Sequence, residues 1–130
     1  MLRLMAERDS LNVVSDQIGS PTSTQSLAEV LFAALASDVE QGIYHWSDGA
    51  RISWYDFAVA IQEEGLAQGL LTKPIAINPI PTSQYPTPAK RPAYSVMDTS
   101  ATQRDFACPT QDWRDELRKV IAQLASSKAA

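Results

Sequence analysis

The sequence predicts an α/β fold with few strands and about four helices, and three observations carry that prediction. Short runs rich in Val, Ile and aromatic residues alternate with segments of helical periodicity. Apolar residues make up 45% of the 130 residues and charged residues 20%, a balance that builds a core instead of staying unfolded. One run, GIYHWS at 42–47, is apolar or aromatic almost throughout, as in a parallel strand covered on both faces.

In chain order, residues 1–9 place Leu2, Leu4 and Met5 in a helical pattern with no capping residue ahead of them, and they read as the end of a helix. LNVVS at 11–15 is a short strand candidate, and DQIGSPT at 16–22 is a turn-rich loop punctuated by Gly19 and Pro21. A helix is predicted over 23–37. Thr22 and Gln25 stand at capping-box spacing, and Leu27, Val30, Leu31, Ala34 and Leu35 recur as one buried face. After the 42–47 strand, a further helix opens with Ser53 as N-cap and Asp56 at its third position. Ile52 and Phe57 have the spacing of a hydrophobic staple, Trp54, Phe57, Ala58 and Ile61 form the apolar stripe, and Gly65 or Gly69 ends the helix.

Six of the eight prolines fall between Pro74 and Pro92, which excludes regular helix there because each ring removes an N–H donor and fixes φ. Ile75, Ile77, Ile80, Tyr85 and Tyr94 add more apolar surface than a solvated linker needs, so the stretch reads as an ordered, irregular wall. Beyond it come a short strand at 94–97, a short helix over 99–106 and a last helix from near Asp112. That helix carries Trp113, Leu117, Val120, Ile121 and Leu124 on one face, and SSKAA at the end is expected to fray. A strand covered on both faces needs two neighbours, and two or three strand candidates do not supply them. The chain therefore reads as part of a larger sheet, or as one completed by a second chain or by self-association.

Charge and motifs narrow the chemistry. A formal charge of −4 gives no basic footprint for nucleic acid, and no apolar run approaches the roughly 20 residues of a membrane span. One cysteine, Cys108, leaves no internal disulfide and fits the reducing cytoplasm. Neither G-x-G-x-x-G nor G-x-x-x-x-G-K-[ST] is present, so no glycine loop cradles a phosphate. Tyr-x-x-x-Lys is also absent: the residues four after Tyr44, Tyr55, Tyr85 and Tyr94 are Asp48, Val59, Ala89 and Asp98. A single histidine, His45, set in the predicted strand with no nucleophile elbow, reads as structural, and one His with one Cys cannot build a His/Cys metal cluster. Glu63 and Glu64 are adjacent on a helix and diverge, while Asp112, Asp115 and Glu116 crowd a helix N-terminus; both groups read as solvated or capping.

Two loops resist so plain an account: residues 16–22, and residues 81–98, PTSQYPTPAKRPAYSVMD. Arg91 held among prolines fits forked hydrogen bonds to a phosphate, with a tyrosine stacking on a base or sugar. Equally, Arg91 caps a carbonyl or pairs with Asp98 and the tyrosines join the core. Residue types alone leave both readings open.

DQIGSPT at 16–22, GIYHWS with SWYDFA within 42–58, PIPTSQYPTPAKRPAYSVMDTS at 79–100 and the closing pattern from Phe106 to Leu117 together resemble the C-terminal half of dTDP-4-dehydrorhamnose reductases. The likeness runs in order from about Leu2 to Leu124. It implies an extended short-chain dehydrogenase/reductase fold, of which this chain is the C-terminal substrate-binding part and an N-terminal Rossmann half is missing. Family members reduce dTDP-4-dehydro-L-rhamnose to dTDP-L-rhamnose with NADPH or NADH for cell-surface polysaccharides. Their glycine loop and Tyr-x-x-x-Lys lie in the missing half, so the chain alone is expected to be inactive and to hold no dinucleotide. The alternatives are a non-catalytic binding or regulatory module, or one half of a split reductase. By the resemblance GIYHWS is a late strand of the Rossmann sheet, Arg91 lies near the diphosphate of the dTDP-sugar, and Gln17 and Tyr94 are further pocket residues. Some members bind Mg²⁺ through glutamates at a dimer interface; here Gln25 and Gln123 stand beside Glu29, and glutamine serves a hard dication poorly, so no metal is expected.

Overall fold

Two parallel strands, β1 (Ser10–Val14) and β4 (Ala76–Ile80), form the spine of the molecule in this computed structural model, which describes residues 1–129. Between them in sequence lie β2 (Ile18–Gly19), α2 (Thr24–Leu35), β3 (Ile52–Ser53) and α3 (Trp54–Ala67), with α1 (Leu2–Glu7) ahead of β1. A 3₁₀ turn (Thr82–Gln84), α4 (Ser100–Asp105) and α5 (Trp113–Ala129) follow β4. β2 and β3 pair antiparallel as a second, smaller ribbon, Ile18 against Ser53 and Gly19 against Ile52.

The proline-rich wall thus contains a real strand. β4 aligns Ala76 with Ser10 and Ile80 with Val14, and it tolerates Pro79 for a geometric reason. The Ala76 N–H donates to Asp9, and donors alternate sides along a strand. Pro79 therefore falls where its missing N–H would face away from β1, the place a sheet edge allows proline.

The core lies around α3. Ala58, Ala60 and Ile61 pack with Met5 of α1, Leu11 and Val13 of β1, Leu71, Ile75, and Leu117 and Ile121 of α5. The start of α3 is as its sequence predicts. Ser53 Oγ accepts from the Asp56 N–H at 3.0 Å and the Asp56 carboxylate accepts from the Ser53 N–H at 2.9 Å. Gly69, at φ +70°, follows the C-cap Gln68 and ends the helix. The N–H of Leu70 reaches the Gly65 carbonyl at 2.8 Å and that of Gly69 the Leu66 carbonyl at 3.1 Å, a Schellman closure. Gly65 instead serves close packing, since a Cβ there would stand 2.8 Å from Leu2 Cδ2.

Several expectations are corrected. The predicted strand at 42–47 forms no regular element and pairs with no strand among the described residues. Two of its residues are held from outside it: Thr102 Oγ1 donates to the His45 carbonyl, and the Tyr44 ring packs 4.6 Å from Phe106 at a 58° tilt, whereas Ile43 is 89% exposed. With no neighbouring strand to pair it, its apolar pattern has no sheet to enter. The strand expected at 94–97 reduces to a single parallel bridge of Tyr94 with Ile18. The N-cap of α2 is Ser23, not Thr22; Ser23 Oγ accepts from the Ser26 N–H at 3.0 Å, while Thr22 Oγ1 donates to the Ser20 carbonyl. The expected buried face of α2 is exposed at Leu27, Leu31 and Leu35; the residues it buries are Ser26 and Val30. Val120 and Leu124, expected on the inner face of the last helix, are also exposed, leaving Leu117 and Ile121, with the partly buried Trp113, as its core contacts. Residues 126–129 of the C-terminal SSKAA are helical, since α5 continues through Ala129; the last residue, Ala130, lies outside the described residues.

Candidate functional site

The short β2–β3 ribbon positions the two loops singled out in the sequence. Residues 93–95 join its free edge, where the Ile18 N–H donates to Ala93 at 2.8 Å and the Ser95 N–H donates to Ile18 at 2.9 Å. Side chains of successive extended residues project to opposite sides. The ribbon therefore separates two clefts.

The first cleft, of about 520 Å³, is lined by Gln17, Ile18, Ile52, Trp54, Phe57 and Arg91, together with Ser95 and the turn at 19–22. Arg91 is the one charged residue among its lining. No carboxylate lies within 4.0 Å of the Arg91 guanidinium among the described residues, so the alternative pairing with Asp98 is not formed. Asp98 instead accepts from the Ser100 N–H at 2.9 Å, which holds its carboxyl below the usual range. Gln17 is anchored to the wall: its Nε2 donates to Thr82 Oγ1 at 3.1 Å, and that hydroxyl donates to Asp16 at 2.6 Å. The Thr82 hydroxyl and then the Thr82 N–H lower the Asp16 carboxyl pKa, because both donate to its charged form.

The second cleft, of about 720 Å³, lies across the ribbon and is lined by Tyr94, Met97, Arg51, Asp48, Asp98 and Gln103 among others. Ser20 borders both clefts. The structure thus brings Gln17 and Arg91 to one cleft and sets Tyr94 in the neighbouring one. Asp48, fully buried, fastens this region to α2: its carboxylate accepts from the Ser23 N–H at 2.8 Å and from Ser26 Oγ at 2.6 Å. Ser23 Oγ in turn donates to Glu116 of α5 at 2.8 Å.

Residue-level reading missed Trp54 and Phe57 as cleft residues, and Thr82 as the anchor of Gln17. Trp54 and Phe57 fit a core stripe by spacing, yet Trp54 is 54% exposed, because the first residue of α3 overhangs the ribbon instead of facing the core. The available signal was position: an aromatic directly after an N-cap sits at a helix mouth, where loops converge. The adjacent pair Glu63 and Glu64 also differs from expectation, since Glu64 is buried and ion-paired with Arg114 and Arg118.

Among the described residues the parallel strand pair is β1–β4; β1 runs on into the Asp16–Gln17 turn and β4 into a 3₁₀ turn, neither with a glycine-rich step into a helix. Among the described residues no group of three or more His, Cys, Asp or Glu side chains converges as metal ligands. No helix among them is long and apolar enough to cross a membrane.

A family model described as the RmlD substrate binding domain matches residues 1–126. The chain belongs to this family. It is 42% identical over 127 residues to a dTDP-4-dehydrorhamnose reductase of Aggregatibacter actinomycetemcomitans, a match covering 94% of this chain and 43% of that protein. It is 41% identical over 127 residues to the spore coat polysaccharide biosynthesis protein SpsK of Bacillus subtilis, covering 98% of this chain and 42% of that one. Among solved structures, a dTDP-4-dehydrorhamnose reductase of Clostridium acetobutylicum superposes with a TM-score of 0.82 at 35% identity over 95% of this chain and 41% of that chain. The reductase of Bacillus anthracis, solved in complex with NADP, gives a TM-score of 0.79 at 26% identity, over 94% of this chain and 41% of that one. This member of the RmlD substrate binding domain family therefore spans less than half the length of the reductases it matches. The α/β fold is that of their substrate-binding part.

Proposed function

We propose that residues 1–130 are the C-terminal sugar-nucleotide-binding portion of a dTDP-4-dehydrorhamnose reductase, and that the first cleft receives the dTDP-sugar. One observation carries the reading: Arg91, with no carboxylate partner, is the sole charge on a cleft that also presents an aromatic wall and the anchored Gln17 amide. A guanidinium so placed offers forked donors to a diphosphate, which a carboxylate-lined cleft would repel. Gln17 orients the sugar through its amide carbonyl, and Tyr94 shapes the approach from the neighbouring cleft.

Reduction of the 4-keto group needs an acid/base pair and a hydride donor that these residues do not supply. In the whole enzyme, NADPH or NADH delivers the hydride from a Rossmann half, in the same chain or in a second one. That half, or another copy of this chain, is the partner that covers the exposed face of α2. The setting is the cytoplasm, where nucleotide-activated sugars are made. A regulatory module or a split reductase would use the same cleft, and co-purification with a dinucleotide-binding chain distinguishes the split form.

Calorimetric titration with dTDP tests the cleft. Replacing Arg91 with Ala should weaken binding by about 1.5–3 kcal/mol, the value of hydrogen bonds to a charged group. Unchanged affinity would remove Arg91 from the diphosphate site.

A further inference from the structure

We infer that Trp54 is the platform on which the pyrimidine base of the bound nucleotide stacks, which makes it the residue that recognises the nucleoside end of the ligand. This rests on the reading of the first cleft as a sugar-nucleotide site and deepens it. Trp54 is the first residue of α3 and lines the same cleft as Arg91, with 54% of its surface open. A large exposed indole at the mouth of a cleft is an unsatisfied apolar surface, and every nucleobase offers a π-face to match it.

The ring is not loose. Phe57, one helical turn on, stands 6.4 Å away at a 57° tilt, and Trp113 of α5 stands 6.2 Å beyond Phe57, edge-on at 64°. This aromatic ladder braces Trp54 from behind, against the core that α3 and α5 share. The helix end beneath it is closed to anions, because Asp56 already occupies the capping box with Ser53. A phosphate in this cleft is therefore drawn to Arg91 and not to the α3 N-terminus, which leaves the Trp54 side for an uncharged, flat group. Tyr94 is the competing aromatic, but its cleft sets the carboxylates of Asp48 and Asp98 beside Arg51, a less favourable setting for a diphosphate than a cleft whose one charge is Arg91.

The test titrates the full chain with dTDP, with thymidine and with inorganic pyrophosphate as a competitor, for wild type, Trp54→Ala, Trp54→Phe and Arg91→Ala. Trp54→Ala should weaken dTDP and thymidine by roughly ten-fold or more, the worth of a base–aromatic stack, whereas Trp54→Phe should keep most of the affinity. Pyrophosphate competition should survive Trp54→Ala and fail in Arg91→Ala. If Trp54→Ala binds dTDP as wild type does while Arg91→Ala does not, the stacking role is overturned and the cleft reading stands. If wild type binds neither dTDP nor pyrophosphate, the cleft reading falls and this inference with it.

Discussion

Glu64 is 94% shielded from solvent by its residue surface, yet it sits on α3 as a carboxylate among two arginines of α5. Arg114 Nε donates to it at 2.9 Å while the same guanidinium reaches Glu63 at 2.6 Å, and Arg118 stands 3.5 Å away. The Arg114 hydrogen bond is the chief reason its pKa lies below the usual glutamate range, against the opposing effect of burial. A carboxylate with a depressed folded pKa stabilises the fold above its unfolded value, near 4.3, and that contribution disappears as pH falls through the folded value. Glu64→Gln should therefore lose about 1–3 kcal/mol at pH 7, and the gap to wild type should narrow below pH 4 in urea unfolding. A gap that stays constant with pH would assign the loss to packing. The sequence did not disclose this pair, since nothing local says which of two adjacent glutamates meets another helix. Arg91 was legible for the opposite reason: its neighbours in sequence are Lys90 and prolines, and none of them is a carboxylate that could pair with it.

Elements whose ends are closed by their own neighbours were readable in advance. The α3 capping box uses Ser53 and Asp56, three apart, and its Schellman closure uses Gly69, which alone among the candidate glycines takes a positive φ. No atom lies within 4 Å of a Cβ added at Gly69, so Gly69→Ala should cost about 1 kcal/mol through backbone strain alone, readable as a lower urea midpoint with the cleft intact. Gly65→Ala meets Leu2 and Leu71 instead and tests packing. The α2 cap was misread because Ser23 is selected by Asp48 and Glu116, both remote in sequence. The strand β4 was hidden by its proline, which a sequence pattern penalises and a sheet edge accepts.

Across the whole molecule, the largest departure from expectation is the side of α2 that faces solvent. Leu31, Phe32 and Leu35 are 57%, 72% and 82% exposed, and Ile43 nearby in sequence is 89% exposed. Apolar exposure in this density is what the proposed partner, a Rossmann half or a second copy, would cover, and the chain spans less than half of its relatives. Replacing Phe32 and Leu35 with Lys should reduce self-association in sedimentation experiments and shift the unfolding free energy by no more than about 0.5 kcal/mol, as solvent-exposed positions do. A large loss of stability would instead mean that these side chains pack within the chain itself. By itself the sequence determined the α/β class, the positions of the helices, the caps set by adjacent residues and the loops that carry Gln17 and Arg91, because these follow from spacing and local hydrogen bonding. Only the tertiary structure decided which apolar faces are covered, which carboxylates are buried, that Tyr94 lies across the ribbon from Arg91, and that Trp54 opens into the cleft. Those outcomes depend on which remote segment comes to rest against each side chain, and no short-range pattern encodes that choice.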